Sequence, residues 1–270
     1  MTGIPKVIHY FWFGKNPETD LMKKCKNSWK KYCPDYEIKR WDESNFDVNM
    51  CSYVKEAYDA HKWAFVSDYA RFYILNKYGG VYLDTDVELI KSIDSIVNAG
   101  PFFACENESF DSIAPGLGMA TEKNNKLYER VIQDYNNSHF KMKNGLYDEM
   151  PVGKRIVDKF LLKDGLKNIS GIQNVDGIKI YPNDYFCPFN FLTGKLNITA
   201  NTVAIHHYAS SWWTKEDKFY RKVGQISSTL FGEKAGLRIE RILKVPYSFI
   251  KKVRQIGFKK TVKFYYGKYL

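Results

Sequence analysis

Apolar and polar positions along the first part of the chain form blocks that predict strands and helices in turn. An almost continuous apolar run, Ile4–Phe13, ends at Gly14 and predicts a strand buried on both faces, as in a parallel sheet. Helical spacing follows over Leu21–Lys31, and Tyr36–Trp41 predicts a second strand. The order strand, helix, strand is the unit of open α/β folds, so the pattern predicts an α/β fold.

The next block, Tyr53–Tyr78, has helical spacing, with a break predicted near His61. Within it, Asp68 and Arg71 are three residues apart and therefore share one helix face. An exposed pair of this kind contributes only about 0.5 kcal/mol. Because the neighbouring residues are mostly aromatic or aliphatic, little of this helix can face water, and the pattern favours a functional site over a surface ion pair.

Two carboxylates follow a short apolar strand at Val81–Leu83. An unpaired charge in a dry interior costs several kcal/mol, so Asp84 and Asp86 require a counter-charge. Residues two apart in a strand point to the same face, which lets both carboxylates converge on one cation. Oxygen ligands suit Mg²⁺ and Mn²⁺. The pattern therefore predicts a divalent metal site, and such a cation would hold the phosphates of a nucleotide.

Shorter elements are predicted in the rest of the first 214 residues. They are a short helix or turn at Ile93–Val97, a strand at Phe102–Glu106, a loop or strand of small residues at Ala114–Ala120, a helix at Asn124–Tyr135, a helix that begins near Pro151, short strands at Lys179–Pro182 and Asp184–Phe191, and a strand at Val203–Ile205.

Two adjacent histidines, His206 and His207, follow the last of these strands. Adjacent strand residues point in opposite directions, so at most one of the two would face a site. A lone histidine is more often structural than a ligand. Here a pair of serines and a pair of tryptophans come within the next six residues, which makes a site as plausible as a structural role.

The net charge of +11 is concentrated at the C-terminal end of the chain. Residues 215–270 contain 15 Lys and Arg and four Asp and Glu, whereas residues 1–214 are balanced at 26 of each sign. We therefore predict two parts, a folded domain at 1–214 and a basic helical tail at 215–270. Its amphipathic pattern favours binding to an anionic membrane surface, at about 1 kcal/mol per basic residue. The alternatives are a solvated helical hairpin and nucleic-acid binding, and no nucleic-acid-binding module is visible.

Composition limits the remaining classes of protein. Hydrophobic residues make up 44% of the 270, which argues against wholesale disorder, and 16% are aromatic, which suits a protein that handles flat rings or sugars. The sequence contains no run of about 18 apolar residues, so we predict no transmembrane helix. The N-terminus lacks the layout of a signal peptide. The cysteines are odd in number and scattered, so we expect reduced thiols in a cytoplasmic protein. They are Cys25, Cys33, Cys51, Cys105 and Cys187.

Four blocks in a fixed order together resemble a known family. They are Ile4–Gly14, Ser67–Arg71, Tyr78–Asp86 and His206–Trp212. In this combination the chain resembles glycosyltransferase family 32, the bacterial capsular and lipopolysaccharide sugar transferases with an Asp-x-Asp motif. It is similar, more distantly, to the yeast-type initiating mannosyltransferases and to the glucosylating domains of large clostridial toxins. The resemblance covers about residues 4–214.

The resemblance implies a fold and a reaction. The expected fold is GT-A, a single α/β domain with a mostly parallel central sheet. The expected reaction is metal-dependent transfer of a hexose, with retention of configuration, from a nucleotide-sugar to a saccharide or lipid-linked acceptor in surface polysaccharide synthesis. UDP is the expected nucleotide and Mn²⁺ or Mg²⁺ the expected metal. The expected location is cytoplasmic and peripheral on the inner face of the membrane, with no nucleic acid as partner.

The resemblance also implies which residues bind the donor. Trp12 and the backbone around Phe11 would contact the base. Ser67 and Asp68 would bind hydroxyls of the ribose and of the donor sugar. Arg71 would contact the sugar or the diphosphate, where a cation can stabilise the leaving group.

A second set of implied residues lies around the metal. Asp86 would be a direct ligand, and Asp84 would contact the ribose, the sugar or a metal-bound water. His207 and Ser210 would complete the metal and phosphate site, and Trp212 would close over the diphosphate or the glycosidic oxygen. No double-displacement nucleophile is evident, so we expect a front-face mechanism in which the leaving phosphate helps to deprotonate the acceptor.

Three other readings compete with this one. Phosphatases of the Asp-x-Asp class require Thr or Val at the fifth position of the motif, where this chain has Glu88. A sugar-binding protein without turnover would not need the full set of Asp68, Arg71, Asp84 and Asp86. A membrane-surface adaptor would depend on the tail, and its function would be lost on deletion of 215–270.

Overall fold

The computed structural model describes residues 3–190, 192–209 and 214–269, which divide into two compact units. The described residues within Met1–Phe140, Glu149–Phe189 and Leu196–Ala209 form the sheet unit. Those within Lys141–Asp148, Asn190–Lys195 and Ser210–Leu270 form the helical unit. The helical unit thus takes in two short segments from the region before residue 214, and the domain boundary inferred from the sequence stays a prediction.

The sheet unit contains strands and helices in alternation. Its described strands are β1 (Val7–Phe11), β2 (Glu37–Trp41), β3 (Gly80–Tyr82), β4 (Val87–Leu89), β5 (Phe102–Ala104), β6 (Met119–Thr121), β7 (Gln173–Val175), β8 (Ile178–Tyr181) and β9 (Ala204–His206). Its described helices are α1 (Asp20–Tyr32), α2 (Ser52–Asp59), α3 (Trp63–Tyr78), α4 (Asp94–Val97), α5 (Lys126–Asn136), α6 (Val152–Ile156), which continues into a π-helical turn (Val157–Leu161), and α7 (Asn183–Phe186).

The main sheet has seven strands in the order β2-β1-β3-β6-β5-β8-β7. Strand β1 is parallel to both of its neighbours, and β5 is parallel to β8. The pairings of β6 with β3 and β5, and of β7 with β8, are antiparallel. Five of the seven strands therefore run in one direction. The predicted α/β class with a mostly parallel central sheet is confirmed.

A second, two-stranded sheet pairs β4 with β9 in antiparallel fashion. Helix α1 anchors this ribbon through its buried face. The indole Nε1 of Trp29 donates to the carbonyl of Val87 at 2.7 Å, and Ser28 Oγ accepts from the amide of Leu89 at 2.9 Å. Because Trp29 is fully buried, the ribbon is fixed against the core rather than left at the surface.

Two turns in the sheet unit follow from local sequence. The predicted break between α2 and α3 is confirmed, with His61 in the left-handed region at φ 55°. Helix α3 ends at Gly79, whose φ is 69°, and a Cβ there would lie 2.7 Å from Pro5 Cδ. Only glycine satisfies both the dihedral angle and the close approach.

One predicted strand is wrong. Residues 183–186 form the one-turn helix α7 where a short strand was expected. Pro182 and Pro188 flank the segment, and proline has no N–H to donate to a strand ladder. The amide of Cys187 instead closes a helical turn on the carbonyl of Asn183 at 2.7 Å.

The helical unit contains α8 (Lys215–Phe231), α9 (Glu233–Ile256) and α10 (Phe258–Tyr269). Glycines with positive φ separate the helices, and small residues let α8 and α9 approach closely. A Cβ on Gly236 would lie 2.0 Å from Ser228 Oγ. The predicted helical tail is confirmed. Over the described part of the chain, no helix has both the length and the apolar character needed to cross a membrane.

Candidate active site

The Asp-x-Asp motif lies in the tight turn between β3 and β4. The amide of Val87 donates to the carbonyl of Asp84 at 3.1 Å, which closes the turn. Asp84 and Asp86 are both partly buried there. The sequence pattern placed the two carboxylates on one face of a continuing strand, whereas in the structure a turn brings them together.

The β4–β9 ribbon adds a histidine to the two carboxylates. In its register Val87 is opposite His206, and the amide of His207 donates to the carbonyl of Asp86 at 3.0 Å. This pairing places His206 Nε2 at 3.1 Å from Asp86 Oδ1. One ligand atom from each of Asp84, Asp86 and His206 lies within 4.8 Å of the other two, a spacing that one metal ion can bridge.

The adjacent histidine has different partners. His207 Nε2 lies 2.7 Å from Glu88 Oε2, and the same oxygen accepts from Lys24 Nζ at 2.7 Å. The two histidines therefore diverge, as strand geometry requires, and the structure brings His206 to Asp86 where the resemblance implied His207. The metal role of His207 stays a prediction.

The surroundings of Asp86 favour its ionised form. Burial acts to raise the pKa of Asp86, but the contact with His206 and the amide of Ala209, which donates to Oδ2 at 2.8 Å, hold it below its ordinary value. Burial likewise opposes the charged form of His206, and the carboxylate of Asp86 raises the pKa of His206 above its ordinary value. An ionised carboxylate is the form that binds a metal.

Arg71 lies between two of the predicted carboxylates. Its Nη2 is 3.0 Å from Asp68 Oδ1 and 3.6 Å from Asp84 Oδ1. Nε donates to the carbonyl of Ser67 at 3.1 Å, and the guanidinium carbon lies 4.6 Å from the centroid of the Tyr82 ring. The side chain of Arg71 is only 6% exposed, so the pair with Asp68 is not the surface ion pair considered as the alternative.

Asp68 is buried along with Arg71. Burial raises the pKa of Asp68 to about 6, although Arg71 acts in the opposite direction. Exposed pairs of a cation and a carboxylate are common on protein surfaces. A buried pair, such as that of Asp68 and Arg71, is more typical of a functional site. The structure therefore brings Asp68, Arg71 and Asp84 together, as the resemblance implied.

Two residues that were not predicted as site residues hold Asp84 in place. The hydroxyl of Tyr82 donates to Asp84 Oδ1, and the amide of Asp84 donates to the carbonyl of Gly116 at 3.0 Å. Tyr82 gave no signal of its own, because its pattern is that of a buried strand residue. Gly116 belongs to the small-residue segment Ala114–Ala120, in which Gly-x-Gly is a weak signal.

Three further residues, expected around the base and the ribose of the donor, contact neighbouring protein groups. Phe11 is buried and packs its ring on Phe13 and Tyr82. Trp12 is partly buried, and its Nε1 donates to the carbonyl of Asn16 at 2.6 Å. Ser67 Oγ donates within its own helix to the carbonyl of Trp63 at 3.1 Å. The predicted contacts of these three residues with the donor stay predictions.

Two residues implied by the resemblance, Ser210 and Trp212, lie outside the residues that the structure describes.

Residues 19–103 match the family model of a glycosyltransferase sugar-binding region containing a DXD motif. The matched stretch includes Asp68, Arg71, Asp84 and Asp86. The match covers less than half of the chain. The resemblance to glycosyltransferase family 32 is confirmed, and the family indicates a transferase.

Two curated relatives are fission yeast proteins from Schizosaccharomyces pombe (strain 972 / ATCC 24843). The chain is 28% identical to inositol phosphoceramide mannosyltransferase 1 over 152 residues, which are 52% of this chain and 46% of the relative. It is 33% identical to inositol phosphoceramide mannosyltransferase 3 over 100 residues, 36% of this chain and 28% of that protein. The chain thus spans less than half the length of these relatives.

A solved structure of a glycosyltransferase involved in the glycosylation of the major capsid of PBCV-1 is also similar. Its TM-score is 0.44 at 12% sequence identity, with 80% of this chain and 98% of that chain covered.

Proposed function

We propose that the chain is a metal-dependent, retaining glycosyltransferase. It moves a hexose from a nucleotide-sugar, UDP-linked by our expectation, to a saccharide or lipid-linked acceptor in surface polysaccharide synthesis. The observation that carries the proposal is the convergence of Asp84, Asp86 and His206 beside the buried Arg71. The family match over residues 19–103 supports it independently.

The donor set suits a divalent cation of the Mn²⁺ type. Two carboxylates suit Mg²⁺ and Mn²⁺ alike, whereas an imidazole ligand favours a transition metal. Asp84, Asp86 and His206 would hold the ion, and Mn²⁺ is therefore our first choice over Mg²⁺. When bound, the ion would neutralise charge on the diphosphate of the donor.

Arg71 supplies a second, permanent positive charge to the site. Its guanidinium is held by Asp68, by the carbonyl of Ser67 and by the face of the Tyr82 ring, so it needs little rearrangement when a diphosphate arrives. Preorganised charge of this kind is the main contribution of a protein to stabilising a leaving group. Asp68 offers carboxylate oxygens to hydroxyls of the donor sugar.

The transfer itself exchanges one bond for another. The bond between the anomeric carbon and the diphosphate oxygen breaks, and the acceptor hydroxyl oxygen forms the new bond on the same face of the sugar. The hydroxyl proton passes to the leaving phosphate oxygen, and both electrons of the broken bond stay with the diphosphate. Arg71 offsets the negative charge that develops there.

The experiment is a screen of the purified protein against UDP- and GDP-sugars with MnCl₂, with release of nucleoside diphosphate as the readout. GDP-mannose belongs in the panel because the named relatives are mannosyltransferases. Asp86→Asn tests the site, and Asp59→Asn, at a 59% exposed position on α2, is the matched control. We expect release from one donor that is abolished by Asp86→Asn or by chelator and unchanged by Asp59→Asn.

Other outcomes separate the alternatives. If no nucleoside diphosphate is released but metal-dependent nucleotide binding is intact, the result would favour a donor-binding protein or a strict need for acceptor. Absence of both turnover and binding would overturn the donor-site proposal.

We further propose that the helical unit binds an anionic membrane surface, which would place the enzyme on the inner face of the membrane. Three apolar side chains, Phe219, Ile226 and Leu230, share one face of α8 and are 63%, 52% and 68% exposed. The exposed Lys215 and Lys222 lie on or beside that face. A helix face with exposed apolar side chains and basic residues beside it is typical of helices that lie in the interface of a membrane.

Vesicle sedimentation tests this second proposal. The full chain should bind phosphatidylglycerol vesicles and bind neutral phosphatidylcholine vesicles much more weakly. Phe219→Ser together with Leu230→Ser should reduce binding without unfolding the unit, because both side chains are exposed. Equal binding by the variant and the parent chain would contradict it, and would favour a solvated helical hairpin.

A further inference from the structure

Tyr208 has an unusual backbone conformation. It lies in the left-handed region at φ 49°, between the histidine pair and Ala209. A bulky aromatic residue rarely adopts this conformation, and it persists only where surrounding contacts outweigh the strain. The contacts that hold Tyr208 and the contacts that its turn creates are both visible in the sheet unit.

The Tyr208 side chain is held at its far end. Its hydroxyl lies 3.0 Å from Cys187 Sγ, and the carboxylate of Glu106 acts on it electrostatically. Its ring packs on Phe189 with centroids 5.7 Å apart.

The turn at Tyr208 wraps the backbone around Asp86. On one side of Tyr208, the amide of His207 donates to the carbonyl of Asp86 at 3.0 Å. On the other side, the amide of Ala209 donates to Asp86 Oδ2 at 2.8 Å. We name residues 206–209 the Asp86 hook. An extended residue at position 208 would turn the amide of Ala209 away from the carboxylate.

The Tyr208 ring also packs on the candidate metal ligand His206. The two ring centroids are 4.3 Å apart, at an angle of 73°. His206 Nε2 in turn lies 3.1 Å from Asp86 Oδ1. The same side chain therefore limits the orientation of the imidazole and the path of the backbone that binds the carboxylate.

We propose that Tyr208 is a positioning residue for the metal ligands: anchored through its hydroxyl at Cys187 and through its ring at Phe189, it holds the Asp86 hook in the conformation that fixes Asp86 and His206. The inference rests on the proposed function for the identity of the metal site, and on the described contacts for the hook. Tyr208 acts on the metal ligands indirectly. It acts through the amide of Ala209 and through the ring of His206.

A conservative substitution tests the anchor. Tyr208→Phe removes the hydroxyl and keeps the ring, and Tyr185→Phe is the matched control, since Tyr185 is also partly buried and packs its ring on Tyr181 at 4.9 Å. Tyr208→Asn is the second variant, because asparagine tolerates the left-handed region but cannot reach the anchor. Thermal unfolding checks that each variant is folded.

Two readouts are measured on the full chain. The first is hydrogen exchange of the Ala209 amide in ¹⁵N-labelled protein without metal, which reports the bond to Asp86. The second is the affinity for Mn²⁺ alone, from the signal of the free ion in electron paramagnetic resonance. Both Tyr208 variants should exchange the Ala209 amide at least about tenfold faster. They should also bind Mn²⁺ about 10- to 100-fold more weakly, as happens when a residue that orients a metal ligand is changed. Tyr185→Phe should change neither quantity.

Unchanged exchange at Ala209 in Tyr208→Phe would overturn the inference, whatever happens to metal binding. Faster exchange with unchanged Mn²⁺ affinity would also overturn it, because the hook would then not position the ligands. If the parent chain itself binds no Mn²⁺, the metal dependence in the proposed function fails. Even then, faster exchange of the Ala209 amide in the Tyr208 variants would support the part of the inference in which Tyr208 maintains the hydrogen bond from Ala209 to Asp86.

Discussion

Gly116 lies directly against Asp84. The amide of Asp84 donates to the carbonyl of Gly116 at 3.0 Å, and a Cβ built on Gly116 would lie 2.1 Å from Asp84 Oδ2 and 2.8 Å from its Cγ. The φ of Gly116 does not require glycine, so the reason for glycine here is space. The carboxylate of Asp84 occupies the volume that any other side chain at position 116 would need.

Gly116→Ala should therefore displace Asp84 without unfolding the sheet unit. A methyl group forced into this contact costs about 1–3 kcal/mol of stability. The displaced ligand should weaken Mn²⁺ binding by about 10- to 100-fold. Isothermal titration with Mn²⁺ measures the affinity, and Gly3→Ala is the control, because a Cβ there meets nothing within 4 Å. Equal affinity in the two variants would mean that Asp84 is not a ligand.

Arg71 and Asp68 should be coupled in stability. Arg71→Met leaves the carboxylate of Asp68 buried without its cation and should lower the free energy of unfolding by about 3–5 kcal/mol. In the double variant Arg71→Met, Asp68→Asn, the buried carboxylate of Asp68 is removed together with its cation, so the loss should be smaller than the sum of the two single losses. Urea unfolding of the four proteins measures the coupling. Simple additivity would show that the 3.0 Å contact contributes nothing.

The two adjacent histidines should differ in metal binding. His206 Nε2 lies 3.1 Å from Asp86 Oδ1, whereas His207 Nε2 is engaged 2.7 Å from Glu88. His206→Ala should therefore weaken Mn²⁺ binding by more than about tenfold, and His207→Ala by much less. The two variants serve as controls for each other. The reverse order of effects would restore His207 to the role that the resemblance implied.

The sequence predicted those parts of the site that depend on local periodicity. Helical spacing put Asp68 and Arg71 on one face, and Asp84 with Asp86 followed an apolar strand. The choice between His206 and His207 could not be made in this way. It depends on the register of β9 against β4, and a shift of one residue would exchange the two faces.

Long-range contacts were the other limit of sequence reasoning. Gly116 reaches Asp84 because β6 pairs antiparallel to β3, with Val81 opposite Ala120, a pairing that no local pattern encodes. The turn at Asp84–Asp86 was expected as a strand because the apolar run before it continues smoothly. The helix α7 was expected as a strand for a similar reason, since its aromatic residues fit either structure.

His9 on β1 is a buried neutral histidine away from the metal ligands. Its Nδ1 accepts from the indole Nε1 of Trp41 at 3.0 Å, and its Nε2 donates to the carbonyl of Gly79 at 3.0 Å. This arrangement fixes the neutral tautomer. Burial lowers the pKa of His9 to about 4, with the carbonyl of Gly79 acting in the opposite direction and Lys39 adding to the decrease.

The lowered pKa of His9 predicts a loss of stability in mild acid. In the unfolded chain the histidine titrates near 6.5, so between pH 6.5 and about 4 the unfolded state binds a proton that the folded state does not. Stability should therefore fall by up to about 3 kcal/mol as the pH drops through this window, and level off below it. His9→Gln keeps one acceptor and one donor but does not titrate, so its unfolding free energy should depend less on pH there. The exposed His139→Gln is the control, and a pH profile of His9→Gln that parallels the parent chain would show that other groups cause the loss.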